Sequence, residues 1–275
     1  MNAFVIGGSK NIGYLSALRL LAAGSTVTFL LRNTSCFDED ERIQRFVSTG
    51  RAFLFKGDAL VRSDVEKGWE AAEKNGNGKV DLLLFTVGGA PSFSLTKGII
   101  TNPINLVTQC FLNVLSTMPK STPGSPQTKI VAVSVAGSTK SARSALPLAP
   151  KALYSTFMKS IIRDKLGLER LVHHSAGWKW THGEVSEEIL PTDWERGDSI
   201  PRFGSLEEVL VVRPAILTDG KCVGDEDTQG EPPYRVSEED FKAWTVSRED
   251  VAHFIADAVL NRWQEYRNKH VTIGY

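Results

Sequence analysis

The chain has 275 residues, enough to bury the core of one α/β domain with elaborations or of two small domains. Its 32 basic and 32 acidic residues give a net charge of zero, which argues against nucleic acid or an anionic membrane as the main partner. No uninterrupted apolar stretch reaches membrane-spanning length. Because an apolar strand is predicted from residue 3, we expect neither a signal peptide nor a transit peptide. Three widely spaced cysteines indicate reduced thiols, so we expect a cytoplasmic protein: Cys36, Cys110 and Cys222.

The first predicted element is a buried strand at residues 3–6, which runs into a glycine-rich turn. Gly7 opens the turn, and Gly13 lies in the first turn of a helix predicted over residues 14–23. Backbone N–H groups and the helix dipole both point at whatever lies over such a turn, which makes it an anion site. Because a second strand follows at residues 26–31, the spacing favours a dinucleotide pyrophosphate over a glycine turn of unrelated purpose.

The segment from Ile6 to Gly13 resembles the glycine motif of the short-chain dehydrogenase/reductase superfamily. At the places of Lys10 and Asn11 classical members have a variable residue and a glycine, and members with the extended pattern have a glycine at the place of Lys10. Asparagine is the non-glycine residue that best tolerates a positive φ, so Asn11 can replace the glycine. In this superfamily a basic residue at the place of Lys10 usually goes with NADP.

The end of the second predicted strand also favours NADP(H). An NAD enzyme places Asp or Glu there to bind the ribose 2′-hydroxyl, whereas this chain has Arg32 followed by Asn33. A guanidinium suits a 2′-phosphate through bidentate hydrogen bonds. Arg32 taken alone could be an ordinary surface arginine, but two cations at the two expected places favour NADP(H) as the cofactor.

Two further strands end in residues that fit a coenzyme. A third strand, predicted at residues 52–55, leads to Asp58 and Ala59, and in reductases of this superfamily an Asp at that place contacts the adenine. An Asp in a loop before a helix explains Asp58 equally well. The fourth predicted strand, residues 80–86, is almost continuously apolar, as a central parallel strand should be. It runs into residues 87–89, whose small side chains would let a ribose come close.

The catalytic residues follow the superfamily pattern only in part. The fifth predicted strand, residues 129–135, carries Ser134 near its end, where classical members have their catalytic serine. The next helix, predicted over residues 150–173, should hold a tyrosine with a lysine four residues later. Lys165 stands eleven residues after Tyr154, about 16 Å along a helix, so the two cannot form the classical pair. Tyr154 is a candidate proton donor or an ordinary apolar contact.

Three later segments resemble the atypical branch of the superfamily, with its isoflavone-reductase-like, NmrA-like and biliverdin-reductase-B-like proteins. They are the Lys-x-x-x-Glu helix within residues 164–170, the strand with proline at 211–217 and Ser-Arg-Glu-Asp-Val-Ala at 247–252. The resemblance implies an NADP-binding Rossmann fold, a doubly wound parallel sheet, with a small C-terminal substrate lobe. It also implies that Lys165 contacts the nicotinamide ribose and polarises or protonates the substrate. The alternative for Lys165 is a solvated lysine on a helix.

Two excursions, at about residues 175–206 and 218–247, interrupt the expected pattern. The first is rich in tryptophan and is interpreted either as a lid over a planar substrate or as an aromatic surface hairpin that packs on its own domain. The last strand, at residues 271–274, is predicted to lie at an edge of the sheet. Three histidines match no metal-ligand spacing and are interpreted as surface or polar-contact residues: His173, His174 and His182.

The sequence therefore predicts a single α/β Rossmann domain over residues 1–275 and an NADPH-dependent oxidoreductase. It would reduce a C=O, C=N or activated C=C bond of an apolar or aromatic small molecule, without nucleic-acid, membrane or metal partners. The alternatives are a non-enzymatic NADP sensor of NmrA type and, less favoured, an NADP-linked epimerase or dehydratase, which would keep the tyrosine–lysine pair. The predicted catalytic residues are Lys165, Tyr154 and Ser134. The predicted cofactor-binding residues are Gly7, Ser9, Lys10, Asn11, Ile12, Gly13, Arg32, Asn33, Asp58, Ala59, Val87, Gly88, Gly89 and Lys165.

Overall fold

The structure, a computed structural model, describes residues 1–89, 92–94, 98–100, 102–119, 126–136, 158–195, 200–226, 232–239 and 241–275. Tyr154, one of the predicted catalytic residues, lies outside the described residues. No described helix is both long enough and apolar enough to cross a membrane.

Twelve strands are described: β1 (Asn2–Ile6), β2 (Thr26–Leu31), β3 (Ala52–Lys56), β4 (Leu82–Phe85), β5 (Ser92–Ser94), β6 (Gly98–Ile100), β7 (Lys129–Val133), β8 (Val209–Pro214), β9 (Ile216–Thr218), β10 (Arg235–Ser237), β11 (Thr245–Ser247) and β12 (Lys269–Gly274). The described helices are α1 (Asn11–Ala22), α2 (Glu41–Ser48), α3 (Arg62–Asn75), α4 (Leu106–Thr117), α5 (Lys159–Ala176), α6 (Arg248–Leu260) and α7 (Trp263–Tyr266). Short 3-10 turns lie at Thr34–Phe37 and Val223–Asp225.

Eight strands form one sheet in the order β10-β12-β8-β7-β4-β1-β2-β3, and every pair is parallel except β10 with β12. Strand β1 lies between β2 and β4, so the chain winds outward from β1 in both directions. Such a reversal opens a crevice at the carboxyl ends of the two central strands, which is where doubly wound sheets bind ligands. The predicted fold class is confirmed.

The central strands are apolar on both faces because helices cover both sides of the sheet. In β1, Ala3 and Val5 belong to the core shared with α1, α2 and α6, while Phe4 and Ile6 face the core shared with α3, α4 and α5. Adjacent side chains of a strand point to opposite faces, which explains this division. The two buried layers fix the strand ends that build the site.

The last strand corrects a prediction. Strand β12 lies inside the sheet between β8 and β10, not at its edge. The outer strand β10 comes from the second excursion and pairs antiparallel with β12, with Arg235 opposite Gly274. A short strand supplied by an excursion therefore covers an edge that the sequence pattern leaves open.

Over its described residues the first excursion packs on its own domain along α5, and none of these residues forms a β-strand. Helix α5 ends beside the start of β8, since Leu206 N donates to Ser175 O at 2.8 Å. From there the excursion runs back along α5, where Ser186 Oγ accepts a hydrogen bond from Arg163 at 3.0 Å. Ile189 is buried against the glycine at position 167. This segment forms an extra layer outside α5.

Candidate functional site at the carboxyl edge of the sheet

The glycine turn between β1 and α1 is fixed by close approach to the end of β4. Gly7 has φ +89°, and a Cβ placed there would lie 2.6 Å from the backbone of Thr86 and of Val87. A Cβ at Gly13 would lie 2.6 Å from the Gly7 carbonyl oxygen. Asn11 has φ +56°, which confirms that asparagine takes the left-handed conformation of the missing glycine. At Gly7 and Gly13 a side chain would force the neighbouring backbone to shift.

The amino end of α1 is open towards solvent. Lys10 occupies the N-cap without a side-chain capping hydrogen bond, and Ser9, Lys10 and Asn11 are exposed. Within the described part of the chain, neither Lys10 nor Arg32 forms an ion pair, and both are exposed. Uncapped N–H groups and two cations without an anionic partner fit the phosphates of a nicotinamide dinucleotide.

The residues predicted to face the adenosine lie at neighbouring strand ends. Asn33 follows β2, and its side-chain oxygen accepts from the Ser35 backbone N–H at 3.0 Å. Asp58 follows β3, is half-buried, and accepts a hydrogen bond from Leu60 N at 3.0 Å. The carbonyl oxygen of Ala59 accepts from the side-chain amide of Asn113 at 2.9 Å. The structure thus brings these residues to the same edge as the glycine turn.

Lys165 joins the ends of two central strands. Its ammonium donates to the carbonyl oxygens of Val87 at 2.9 Å and Val133 at 2.7 Å, beyond β4 and at the end of β7. The side chain is buried, which excludes the solvated-lysine interpretation. Burial lowers the pKa of Lys165 to about 8, although Asp164 and Glu169 favour its charged form. Gly88 and Gly89 follow Val87, and Gly88 is exposed with open space around its Cα.

Ser134 belongs to a buried polar network next to Lys165. Its hydroxyl donates to a Glu169 carboxylate oxygen at 2.5 Å, and Arg213 binds the same carboxylate at 3.1 Å and 2.5 Å. Burial would raise the pKa of Glu169, but the charge and hydrogen bonds of Arg213, with that of Ser134, hold the pKa below its ordinary value. Because the Ser134 hydroxyl gives its proton to Glu169, its oxygen can only accept a hydrogen bond from any further partner.

Sequence reasoning missed the Glu169–Arg213 ion pair. The two residues stand in two segments of the atypical pattern, and the structure makes them partners across 44 residues of sequence. The available signal was an arginine inside the apolar strand that becomes β8, because a charge buried in a sheet requires an opposite charge nearby.

The three histidines behave differently from one another. His173 is only 3% exposed and contacts Lys179 O, so of the two expected roles it has the polar contact and not the surface position. The rings of Trp178 and Trp180 pack against it edge-on. His174 lies 3.7 Å from the Glu195 carboxylate near the surface. The aromatic residues of the excursion thus bury His173 on the flank of α5.

The chain is similar to one known protein family and to several solved structures. The short chain dehydrogenase family pattern matches residues 1–168, more than half of the chain. No curated protein sequence matches it. Similar solved structures include an anaerobillin reductase, ChuY, from Escherichia coli O157:H7, with a TM-score of 0.57, 16% identity and coverage of 99% of this chain and 96% of that one.

Two other similar structures contain a nicotinamide coenzyme. A short chain dehydrogenase from Burkholderia cenocepacia in complex with NADP has a TM-score of 0.60 and 15% identity, and covers 99% of this chain and 96% of that one. A blue fluorescent protein from a metagenomic library, in complex with NADPH, has a TM-score of 0.55 and 16% identity, with coverage of 99% and 95%. At these identities the likeness shows the fold.

Proposed function

This chain belongs to the short-chain dehydrogenase family, and from that premise we propose that it is an NADPH-dependent reductase of an apolar small molecule. The family makes it an NAD(P)-dependent oxidoreductase. Our proposal adds the preference for the phosphorylated coenzyme and the reaction, hydride transfer to the carbon of a C=O, C=N or activated C=C bond. The observation that carries it is the pair of exposed cations, Lys10 and Arg32, beside an open glycine turn.

The preference for NADPH rests on charge. The end of β2 carries Arg32 and Asn33, and no carboxylate stands there to bind a ribose 2′-hydroxyl. A guanidinium without an ion-pair partner in the described part of the chain can bind a 2′-phosphate without first breaking a salt bridge. The similar structures that hold NADP or NADPH support this proposal.

The catalytic role that we propose for Lys165 follows from its position and its pKa. A nicotinamide coenzyme supplies the hydride when it is bound. Lys165 holds a positive charge at the strand ends where the nicotinamide ribose would lie, and its pKa of about 8 suits proton transfer near neutral pH. It would bind the ribose and stabilise negative charge on the substrate heteroatom, while Ser134 accepts a hydrogen bond. Tyr154 stays a candidate proton donor.

Two observations favour the alternative, a non-enzymatic NADP sensor. Two of the three N–H bonds of the Lys165 ammonium already go to backbone carbonyl oxygens. Moreover, no tyrosine stands four residues before Lys165, where position 161 is isoleucine. A lysine that only ties strands together would leave coenzyme binding intact without turnover.

The coenzyme preference is tested by calorimetric titration of NADPH and NADH into the wild type and Arg32→Ala. Because a hydrogen bond to a charged group contributes about 1.5–3 kcal/mol, we expect Arg32→Ala to weaken NADPH binding by about 10–100-fold. NADH binding should change little. Lys67→Ala, which removes an exposed lysine on α3, is the control and should bind both coenzymes like the wild type. Tighter binding of NADH than of NADPH by the wild type would exclude the proposal.

Turnover separates the reductase from the sensor. Incubation with NADPH and a panel of apolar aldehydes, imines and enones should oxidise the coenzyme with at least one compound, followed by the loss of NADPH absorbance. Lys165→Met should lower kcat for that compound and bind NADPH more weakly. Tight NADPH binding with no turnover across the panel would instead support the sensor.

A further inference from the structure

Three potential metal ligands meet on the flank of α5, away from the glycine turn. Glu169 and His173 stand one helical turn apart on α5, so both side chains lie on the same face. The helix ends at Gly177 in the left-handed conformation, and the chain that follows brings back His182. One ligand atom from each of the three residues lies within 4.8 Å of the other two.

The ring of His173 is oriented by its own hydrogen bond. Nδ1 lies 3.2 Å from the carbonyl oxygen of Lys179, and because a carbonyl only accepts, Nδ1 carries the proton. Nε2 is then unprotonated and has a free lone pair. This atom is buried and has no hydrogen-bond partner, within the part of the chain that the structure describes.

We propose that Glu169, His173 and His182 bind a divalent transition-metal ion, with Zn²⁺ as the preferred ion. Two imidazoles and one carboxylate form a common donor set for Zn²⁺, which leaves a fourth position for water. The hydrogen bond from His173 Nδ1 to a backbone carbonyl is the usual way in which a metal-binding histidine is oriented. A cation at this place would neutralise the repulsion between the Nε2 lone pair and the nearby carboxylate.

The surroundings set the expected affinity. Trp178 and Trp180 pack on the His173 ring at 5.3 Å and 5.1 Å between centroids, and they shield the site from solvent. Arg213 forms an ion pair with Glu169, and the positive charge of Arg213 repels a second cation. We therefore expect micromolar binding, weaker than in a closed structural zinc site.

The metal would fasten the first excursion to α5. His182 belongs to the excursion, while Glu169 and His173 belong to the helix, so one ion would link the two. His173 lies eight residues beyond Lys165 on α5, about 12 Å along its axis. Glu169 also accepts a hydrogen bond from Ser134 in the site described above. Because Zn²⁺ binding is measured without coenzyme or substrate, its failure and the failure of the proposed reductase activity are distinguishable.

The test uses the full chain, free of any affinity tag and stripped of metal with EDTA. Zn²⁺ is titrated by calorimetry, and Co²⁺ is added as a spectroscopic probe whose visible bands become intense in a tetrahedral site. We expect one ion per chain, and we expect His173→Gln and His182→Gln each to weaken Zn²⁺ binding by at least about 100-fold. His174→Gln, which changes the neighbouring histidine outside the cluster, should bind like the wild type.

Circular dichroism in EDTA shows whether each variant is folded. If His173→Gln does not fold, His182→Gln still tests the proposal. The wild type should also unfold at a higher temperature with Zn²⁺ than with EDTA, and His182→Gln should lose this difference. Absence of one-to-one Zn²⁺ binding by the wild type, or binding that both variants retain, would overturn the proposal.

Discussion

Gly13 is the residue on which the contact between α1 and the end of β4 depends. An added Cβ would press against the Thr86 hydroxyl oxygen and lie 2.6 Å from the Gly7 carbonyl oxygen and 3.0 Å from Gly8 Cα. Because overpacking costs about 1–3 kcal/mol, Gly13→Ala should lower the free energy of unfolding by that amount, measured by urea denaturation. Gly88→Ala has open space around its Cβ and should change stability by less than about 0.5 kcal/mol. Equal losses in the two variants would contradict this account.

The buried ammonium of Lys165 should make stability depend on pH in the alkaline range. Its pKa is about 8 in the folded chain, against about 10.4 for an unperturbed lysine. Below pH 8 both states hold the proton, whereas between these two values the unfolded state binds more protons, so the free energy of unfolding rises with pH. The slope is at most about 1.4 kcal/mol per pH unit.

We therefore expect the wild type to gain stability relative to Lys165→Met between pH 8 and pH 10 in denaturant unfolding. The loss of two hydrogen bonds in the variant shifts its whole curve and does not alter this slope. Lys67→Met, an exposed lysine, should run parallel to the wild type. If the curve of Lys165→Met also ran parallel, the ammonium would not have a depressed pKa.

The roles of single residues were predictable where local backbone geometry determines them. They were less predictable where segments distant in sequence come together. Gly7 and Asn11 were placed correctly because a tight turn restricts φ, and this restriction can be read from residue type. The buried network of Ser134, Glu169 and Arg213 was missed because it requires knowing that α5 crosses the face of β7 and β8. Spacing along a chain does not contain this information, since it arises from tertiary packing.

Among the elements, the positions of the strands along the sequence were predicted better than the order of the strands in the sheet. The bounds of β2 agree with the prediction, since its apolar run starts just after Gly24 and ends at the polar pair Arg32 and Asn33. Strand β12 was recognised as a strand but assigned to an edge. Its outer partner β10 is a three-residue strand, too short to be recognised from its sequence. Whether such a short segment pairs as a strand depends on the sheet beside it more than on its own sequence.

Helices α4 and α5 are joined by a capping interaction that the sequence did not reveal. The Asp164 carboxylate on α5 accepts hydrogen bonds from Val107 N at 2.8 Å and Thr108 N at 2.9 Å, at the amino end of α4. Asp164→Ala would leave both buried donors without an acceptor. We expect a loss of about 2–4 kcal/mol in the free energy of unfolding, because hydrogen bonds to charged groups contribute about 1.5–3 kcal/mol and N-caps about 1 kcal/mol.

Asp40→Ala is the matched control, since Asp40 caps α2 through Ile43 N at 3.1 Å in a less buried setting. It should cost about 1 kcal/mol, at the ordinary level for an N-cap. Chemical denaturation of both variants measures the comparison. If Asp164→Ala lowered the free energy of unfolding by no more than Asp40→Ala does, the contact between α4 and α5 would add no stability beyond that of an ordinary N-cap.

At the scale of the whole molecule, the doubly wound sheet explains why residues from distant parts of the chain form one site. The ends of β1, β2, β3, β4 and β7 lie along one edge, and they carry the glycine turn, Arg32, Asp58 and the carbonyl oxygens that bind Lys165. This arrangement was predictable, because alternating strands and helices with parallel pairing allow few topologies. The position of the first excursion, which packs outside α5, was not predictable, because nothing in its sequence determines where it packs.

The interior position of β12 gives a prediction for the fold as a unit. Strand β12 pairs with β8 on one side and β10 on the other, and Val271 and Ile273 are buried in the core shared with α6. Removal of residues 269–275 should therefore abolish cooperative unfolding, because it breaks both pairings and exposes an apolar face of the sheet. Near-ultraviolet circular dichroism and thermal unfolding measure this.

Tyr275→Phe is the control for the truncation. It removes the hydroxyl that donates to Asp250 at 2.5 Å but keeps the strand, so it should cost about 1–3 kcal/mol and leave a cooperative transition. An edge strand with one partner could be deleted at a modest cost, whereas an interior strand carries two ladders of backbone hydrogen bonds. A truncated chain that still unfolded cooperatively would mean that β8 and β10 can close the sheet without β12, and the strand order described here would then not be required for folding.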